Sequence, residues 1–495
     1  MAVGLIDDFR RLAAEQPDRV AVEEVDTGRR FDRGAVLAEA ERLAGVLDDI
    51  APEGATVLLR GPGGAGFWAA LVAVFGTGRR LIPLAPDAVA AEATSLVEAH
   101  GVAVVLETEG IEDRAWSPDV ANVEAVLVRP DARADPGVSR LDRGDRACLL
   151  LRSSGTTGRP GVAMRTAAAL DRVSATLVGT LELTDRDRVL STIPMSHAYG
   201  IEHGVLAPMR AGAEVAFKSG FDLMAGAEAL LDRTTVFPAV PVTLEAATRI
   251  ARPDSRLRLV YTAGAPLPDT IRSAFESAWG LPVADLYGMT EVGTITWGFD
   301  GDHRTVPGVS IGIVDPEAAD EDAVIRRSGT GEIVVSSDAM AVGYVSAAGV
   351  EPDPGRRVDG HLRTGDLGEI DEAGRVRITG RTKLQFDVGG LKVNPEEVEE
   401  ALLRISQVRE VAVVPVALSE TVNRVMAVLV LENDIGPAGM NIALRVTGQR
   451  YLAPHQRPRM IRVVDELPRS PTGKLLRGRL IESLELTRED EAPHR

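Results

Sequence analysis

The chain has a single cysteine, Cys148, and only four lysines: Lys218, Lys383, Lys392 and Lys474. One cysteine excludes an intramolecular disulfide framework and a cysteine-rich metal site. The seven histidines are scattered, with no HExxH pair, so a structural metal is not expected. Aromatic residues make up only 4% of the chain. The longest clean apolar run, around Phe67–Phe75, is too short to cross a bilayer. No signal peptide is visible, and a reducing cytoplasm is the expected location. The net charge of −18 argues against a general binder of nucleic acid or of anionic membranes.

Lysine scarcity has two readings. With 55 lysines and arginines together, the bias towards arginine is strong and by itself explains few lysines anywhere. Alternatively, a surviving lysine stands where a compact ammonium is needed and a planar guanidinium will not serve. Lys218 has no motif around it and reads as surface.

What is present is globular in kind: 495 residues, 45% apolar and 26% charged, enough for two or more units. Short β-branched runs at Thr56–Arg60, Leu81–Leu84 and Val102–Leu106 predict strands. Amphipathic or apolar runs at Arg33–Asp49, Phe67–Phe75 and Ala88–His100 predict helices between them. This alternation implies a large α/β domain of mostly parallel sheets covered by helices. After Arg381 the character changes. Asn394-Pro-Glu-Glu predicts a capped helix to Leu403. Strands are expected at Val411–Val414, closed by Pro415, at Val425–Leu431 and at Met460–Val464, with a helix over Asn441–Tyr451. These form a small α+β domain. The expected division is 1–382 and 383–495, and the acidic residues 482–495 read as frayed.

Gly61-Pro-Gly63-Gly-Ala-Gly66 matches GxGxxG between a strand and a helix. No acidic residue ends the next strand, and Pro62 sits in the turn, so helix–sheet packing is the better reading than a dinucleotide site.

Ser153-Ser154-Gly155-Thr156-Thr157-Gly158-Arg159-Pro160 follows the predicted strand Ala147–Arg152. Glycines let backbone N–H groups converge on an anion, and hydroxyls add rotatable donors. The Walker spacing fails at Gly161. This loop resembles the phosphate loop of the adenylate-forming (AMP-binding) superfamily, which includes acyl- and aryl-CoA ligases, luciferases and peptide-synthetase adenylation domains. Further segments resemble that family in its order. They are Pro194-Met-Ser-His197-Ala-Tyr199-Gly, Ala263-Gly264-Ala265-Pro266, Tyr287-Gly288-Met289-Thr290-Glu291, Gly331-Glu-Ile, Gly343-Tyr344, Thr364-Gly-Asp366, Gly380-Arg381-Thr-Lys383 and Pro471-Thr-Gly473-Lys474.

The resemblance implies the substrates ATP and a carboxylic acid, joined to give acyl-AMP and pyrophosphate, with Mg2+ and then CoA or a phosphopantetheine carrier. It places Ser153–Gly158 and Thr290 at the phosphates, Glu291 on Mg2+, Gly264, Ala265, Pro266, Tyr287, Gly288 and Met289 around adenine, and Asp366 and Arg381 at the ribose. Lys474 would bridge the substrate carboxylate and the α-phosphate. Lys383 would be the hinge of a mobile small domain, and Gly389 and Gly390 would line the pantetheine tunnel. His197, Tyr199, Val240, Tyr261, Ala263 and Met289 would wall the acid pocket.

The chain also departs from the family. The usual lysine after Pro160 is absent, with Gly161 in its place, and Arg159 or Arg165 is a candidate substitute. Ala167 stands where a histidine is common, Leu384 where an acid is common, and Thr305 where a glycine is usual. The leading expectation is an acid–CoA ligase. Two alternatives remain open at this point: another acceptor (a carrier protein in trans, an amine or nitrite), and a degenerate nucleotide binder.

Overall fold

The computed structural model describes residues 4–86, 88, 90–108, 123–127, 148–152, 161–219, 229, 233–250, 255–346, 349–351, 357–382, 386–388, 391–419, 422–432, 436–452, 456–470 and 475–490. Two compact units are present: Met1–Ile311 with Val335–Leu362, and Gly312–Val334 with Arg363–Arg495. They are divided by where contacts are dense. The division expected at 382/383 follows the change in sequence pattern after Arg381, whereas the second unit also takes in Gly312–Val334 and the residues from Arg363 to Thr382.

Among the described residues, the first unit holds a nine-stranded and an eight-stranded sheet. In the nine-stranded one, the order from edge to edge is Asp302–Thr305, Gly293–Phe299, Val283–Met289, Leu259–Thr262, Val236–Ala239, Arg188–Ser191, Glu214–Phe217, Val20–Glu24 and Arg29–Asp32. The pairings from Val283–Met289 through Val20–Glu24 are parallel, and the outer ones are antiparallel. The eight-stranded sheet is parallel at its centre, across Val102–Thr108, Thr56–Arg60, Arg80–Leu84 and Cys148–Arg152. Both sheets share one core with the helices Arg33–Ile50, Ala65–Gly76 and Ala167–Thr180. Ala65–Gly76 is apolar on every side because its residues Phe67 to Phe75 are all buried. Parallel strands with both faces covered read as continuous apolar runs, and here they do.

The glycine-rich turn before that helix is a packing device. A Cβ at Gly64 would come within 2.7 Å of the Glu24 carboxylate, and one at Gly63 would fall on the Phe217 ring and 2.7 Å from the Met195 sulfur. The glycines are required by protein atoms, as the failed fingerprint predicts.

In the second unit, Val376–Arg381 pairs antiparallel with His361–Ile370. Asn394 caps the helix Pro395–Leu403: its Oδ1 accepts from the Glu396 N–H at 3.1 Å, and its Nδ2 donates to the Thr379 carbonyl at 2.9 Å. A three-stranded sheet follows, ordered Val408–Ser419, Val422–Leu431, Met460–Val463.

Three expectations are corrected. Pro415 does not close its strand; it lies opposite Val425 within Val408–Ser419. That strand is an edge, where a residue without an N–H is tolerated. The tail is helical from 482 to 490, within Arg477–Asp490, and 491–495 lie outside the described residues. Leu480, Ile481 and Leu484 pack it against Val414, Val416 and Leu467. Lys218 is not at the surface: it is 6% exposed and ion-paired with Asp26.

Candidate active site

Four neighbouring parallel strands, Arg188–Ser191, Val236–Ala239, Leu259–Thr262 and Val283–Met289, end on the same side of the nine-stranded sheet. Their carboxyl ends lead, in turn, into His197, Val240, Ala263-Gly264-Ala265-Pro266 and Thr290-Glu291. This is the edge at which open α/β sheets bind ligands. The sheet thus brings together most of the residues selected from sequence in this unit. Gly264 has φ +86, a conformation that needs glycine for a tight reversal. Tyr287 and Met289 are half-buried and pack beside Val292 and Ile295.

Glu291 is 7% exposed, and its Oε1 accepts a 2.6 Å hydrogen bond from the Tyr344 hydroxyl. Among the described residues no ion pair reaches this carboxylate. Its backbone carbonyl accepts from the Ala341 N–H at 2.7 Å. The Thr290 carbonyl accepts from Arg165 at 3.0 Å. Arg165 itself is fully buried and ion-paired with Glu202 at 3.0 Å. Burial raises the pKa of Glu202, and the Arg165 charge opposes that rise. Arg165 is thereby committed to the core and does not replace the missing phosphate-loop lysine. Arg159 lies outside the described residues.

Behind His197 the helix widens into a π-turn at Glu202–Leu206. It places His203 inside an aromatic cluster. The His203 Nδ1 is 2.8 Å from the Tyr261 hydroxyl, and its Nε2 is 3.4 Å from the Thr294 hydroxyl. The His203 ring meets Tyr199 edge-on at 4.8 Å, and Tyr261 meets Trp297 at 5.3 Å. Burial pushes the His203 pKa down to about 3, so the ring is neutral near pH 7. Burial likewise raises Tyr199 and Tyr261 well above the usual phenol range. The Tyr199 hydroxyl donates to the Ala239 carbonyl at 3.0 Å. His197 caps the following helix with backbone only; desolvation, then the Arg152 charge, lowers its pKa.

In the second unit, Asp366 and Arg381 are register partners across antiparallel strands, and the guanidinium Nε donates to Asp366 Oδ1. Asp366 is 5% exposed. The Thr364 hydroxyl accepts from the Asp366 N–H at 3.0 Å and donates to the Ile333 carbonyl at 2.9 Å. Glu332, from the Gly331-Glu-Ile segment, is buried against Arg363 at 2.6 Å and also accepts from the Gly365 N–H at 3.0 Å. It braces the Thr364-Gly-Asp366 turn.

The AMP-binding enzyme profile matches residues 9–345, and the AMP-binding enzyme C-terminal domain profile matches 397–474. The chain belongs to the AMP-binding enzyme family. An indenyl-propanoyl:CoA ligase of Mycobacterium tuberculosis is 30% identical over 97% of this chain and 100% of its own length. A 4-coumarate–CoA ligase-like protein of Oryza sativa is 29% identical over 94% of this chain and 89% of its own. ATP-bound MatB from Rhodopseudomonas palustris superposes with a TM-score of 0.80 at 26% identity, covering 98% of this chain and 99% of that one.

Several family positions fall outside the described residues: Ser153, Ser154, Gly155, Thr156, Thr157, Gly158, Lys383, Gly389, Gly390 and Lys474. Their flanks are described. Arg152 and Val162 are paired across the base of the phosphate loop. Arg469 and Leu475 bridge the base of the Lys474 loop, and the Leu476 N–H donates to the Pro468 carbonyl at 2.8 Å. Ion pairs from Arg469 to Glu410 and from Arg477 to Glu399 anchor that base.

Sequence reasoning missed the partnership of Tyr344 with Glu291, although Gly343-Tyr344 was among the matching segments. It also missed His203 and Trp297, which carry no local signal beyond their identity.

A magnesium ion fits the Glu291 site. Its carboxylate has one oxygen engaged by a neutral hydroxyl and leaves Oε2 without a hydrogen-bond partner among the described residues. No cluster of three acidic, histidine or cysteine side chains is found among those residues. One protein carboxylate completed by phosphate oxygens is a usual magnesium arrangement.

Proposed function

We propose that this protein is an ATP-dependent acid–thiol ligase, which adenylates a carboxylic acid and passes the acyl group to CoA. The observation that carries the reading is Glu291. It is a buried carboxylate held by a neutral donor, with no ion pair among the described residues, at the carboxyl ends of four adjacent parallel strands.

Glu291 would hold Mg2+ against the ATP phosphates, and the ion supplies electrostatic stabilisation of charge on the departing pyrophosphate. Thr290 and the loop Ser153–Gly158 would donate to phosphate oxygens. Tyr287, Gly288, Met289 and Gly264–Pro266 would flank adenine. Asp366 and Arg381 would meet the ribose hydroxyls. His197 with Val240, Ala263 and Met289 would wall the acid, and Tyr199 and Tyr261 lie in the cluster behind them. Lys474 would bring an ammonium to the reacting carboxylate and α-phosphate. Lys383 would be the hinge and Gly389 and Gly390 the tunnel for a pantetheine arm. These roles suit a location in the cytoplasm, where ATP and CoA are available.

The test is a panel of carboxylic acids incubated with ATP and Mg2+, with pyrophosphate release followed with and without CoA. The expected result is acid-dependent release with a CoA thioester as product. Release without any CoA-dependent product would assign another acceptor, and no release with any acid would overturn the enzyme reading.

A further inference from the structure

The strap Ala341–Tyr344 holds Glu291 at both ends. The Ala341 N–H fixes its carbonyl, and the Tyr344 hydroxyl fixes its carboxylate. The strap is itself pinned. Gly343 and Tyr344 pair antiparallel with Met164 and Ala163, and the Val342 N–H donates to the Met164 carbonyl at 2.9 Å.

The ring of Tyr344 lies against the backbone of Gly161. A Cβ at Gly161 would stand 2.6 Å from the ring Cδ1 and 2.8 Å from Cε1. Such contacts are far inside van der Waals distance, and an aromatic ring cannot yield as the end of a flexible side chain can. Any side chain at 161 must therefore turn the ring. A turn about Cβ–Cγ leaves the hydroxyl on its axis; a swing of the ring about Cα–Cβ, away from the Gly161 backbone, carries the hydroxyl off Glu291, and a Gly161→Ala variant separates the two.

We infer that Tyr344 is a positioning residue for Glu291, and that Gly161 lacks a side chain so that Tyr344 can reach it. This rests on the reading of Glu291 as the magnesium ligand. Magnesium tolerates little departure from octahedral geometry, so the orientation of its one protein carboxylate matters. The same contact explains the departure at the phosphate loop, where Gly161 stands in place of lysine. On this backbone, a lysine at 161 would gain a cation near the phosphates and lose the bond that aims Glu291.

Calorimetric titration with a non-hydrolysable ATP analogue, in saturating Mg2+ and again in EDTA, tests this without knowledge of the acid. In the wild type, Mg2+ should tighten binding. In Tyr344→Phe, which keeps the ring, that gain should fall about tenfold, the usual worth of a hydrogen bond to a charged group. Affinity in EDTA should stay within twofold, and the melting temperature should be nearly unchanged. Gly161→Ala should lose gain in the same way, and the double variant should be no worse than Tyr344→Phe alone, since both changes remove one interaction. Gly161→Lys should lower the gain as well.

Undiminished gain in Tyr344→Phe, or additive losses in the double variant, would overturn the positioning role while leaving Glu291 as ligand. A wild type with no gain from Mg2+ would remove the ligand reading and this inference with it.

Discussion

Glu291 and Asp366 are both buried carboxylates in segments that the family resemblance ties to ATP, yet they are held in opposite ways. Glu291 is held by a phenol, which donates a proton but brings no charge. Asp366 is held by the Arg381 guanidinium, which cancels its charge. A buried charge without a counterion is costly. It persists where something else supplies the balance, and a divalent cation is suited to that. A paired carboxylate is suited to neutral partners such as sugar hydroxyls. Glu202 shows the structural version: it is ion-paired with Arg165, and both side chains are buried in the core.

The largest effect expected lies outside this pair and isolates chemistry from binding. Lys474→Ala should lower acid-dependent pyrophosphate exchange by about 10²–10³-fold or more while ATP binding is largely kept. Near wild-type exchange would leave the lysine without a role and the comparison without its chemical step.

Glu291→Gln keeps the shape and the Tyr344 bond but removes the charge. Adenylation should fall about 10²-fold, with the loss in ATP-analogue binding confined to Mg2+-containing buffer. Asp366→Asn should weaken ATP binding about tenfold, equally with and without Mg2+, since it removes the charge paired with Arg381 and weakens a charge-assisted contact. If the two variants showed the same Mg2+ dependence, the contrast between an unbalanced and a balanced carboxylate would be wrong.

The smallest effect concerns a third buried group, held without charge. The folded pKa of His203, about 3, lies below the ordinary value of 6.5, so the unfolded chain binds the extra proton between those limits. Stability should therefore fall as pH drops below about 6.5. The share owed to His203 between pH 6.5 and 5.5 is about 1 kcal/mol. Urea unfolding at both pH values should show that share missing in His203→Gln. An identical pH dependence in both proteins would mean that the ring is not held neutral.

Much of the fold was legible because buried strands and helices leave long-range periodicity in local sequence. Thr56–Arg60, the helix from Arg33 and the Asn394 cap appear where the pattern put them. The misreadings share a cause. Lys218 reads as surface until Asp26, 192 positions away, is brought beside it. Arg165 reads as a free cation until Glu202 is found. Pro415 stops a strand only if its missing N–H was needed, and on an edge it was not. The helix Arg477–Asp490 is polar overall and reads as tail; Leu480, Ile481 and Leu484, too few to make a visible stripe, dock it. At the site, motif order named the residues that would touch ligands. The residues that hold them, Tyr344 and Arg165, depend on contacts between strands and helices distant in sequence.

Asn394 lies on the far side of the proposed hinge from Thr379, and its amide joins the two. The same side chain caps the helix Pro395–Leu403. Any swing about Lys383 that separates that helix from the strand bearing Arg381 must undo this bond, at a cost of about 1 kcal/mol. If the proposed hinge at Lys383 is where the chain turns, this one hydrogen bond is a weak latch across it.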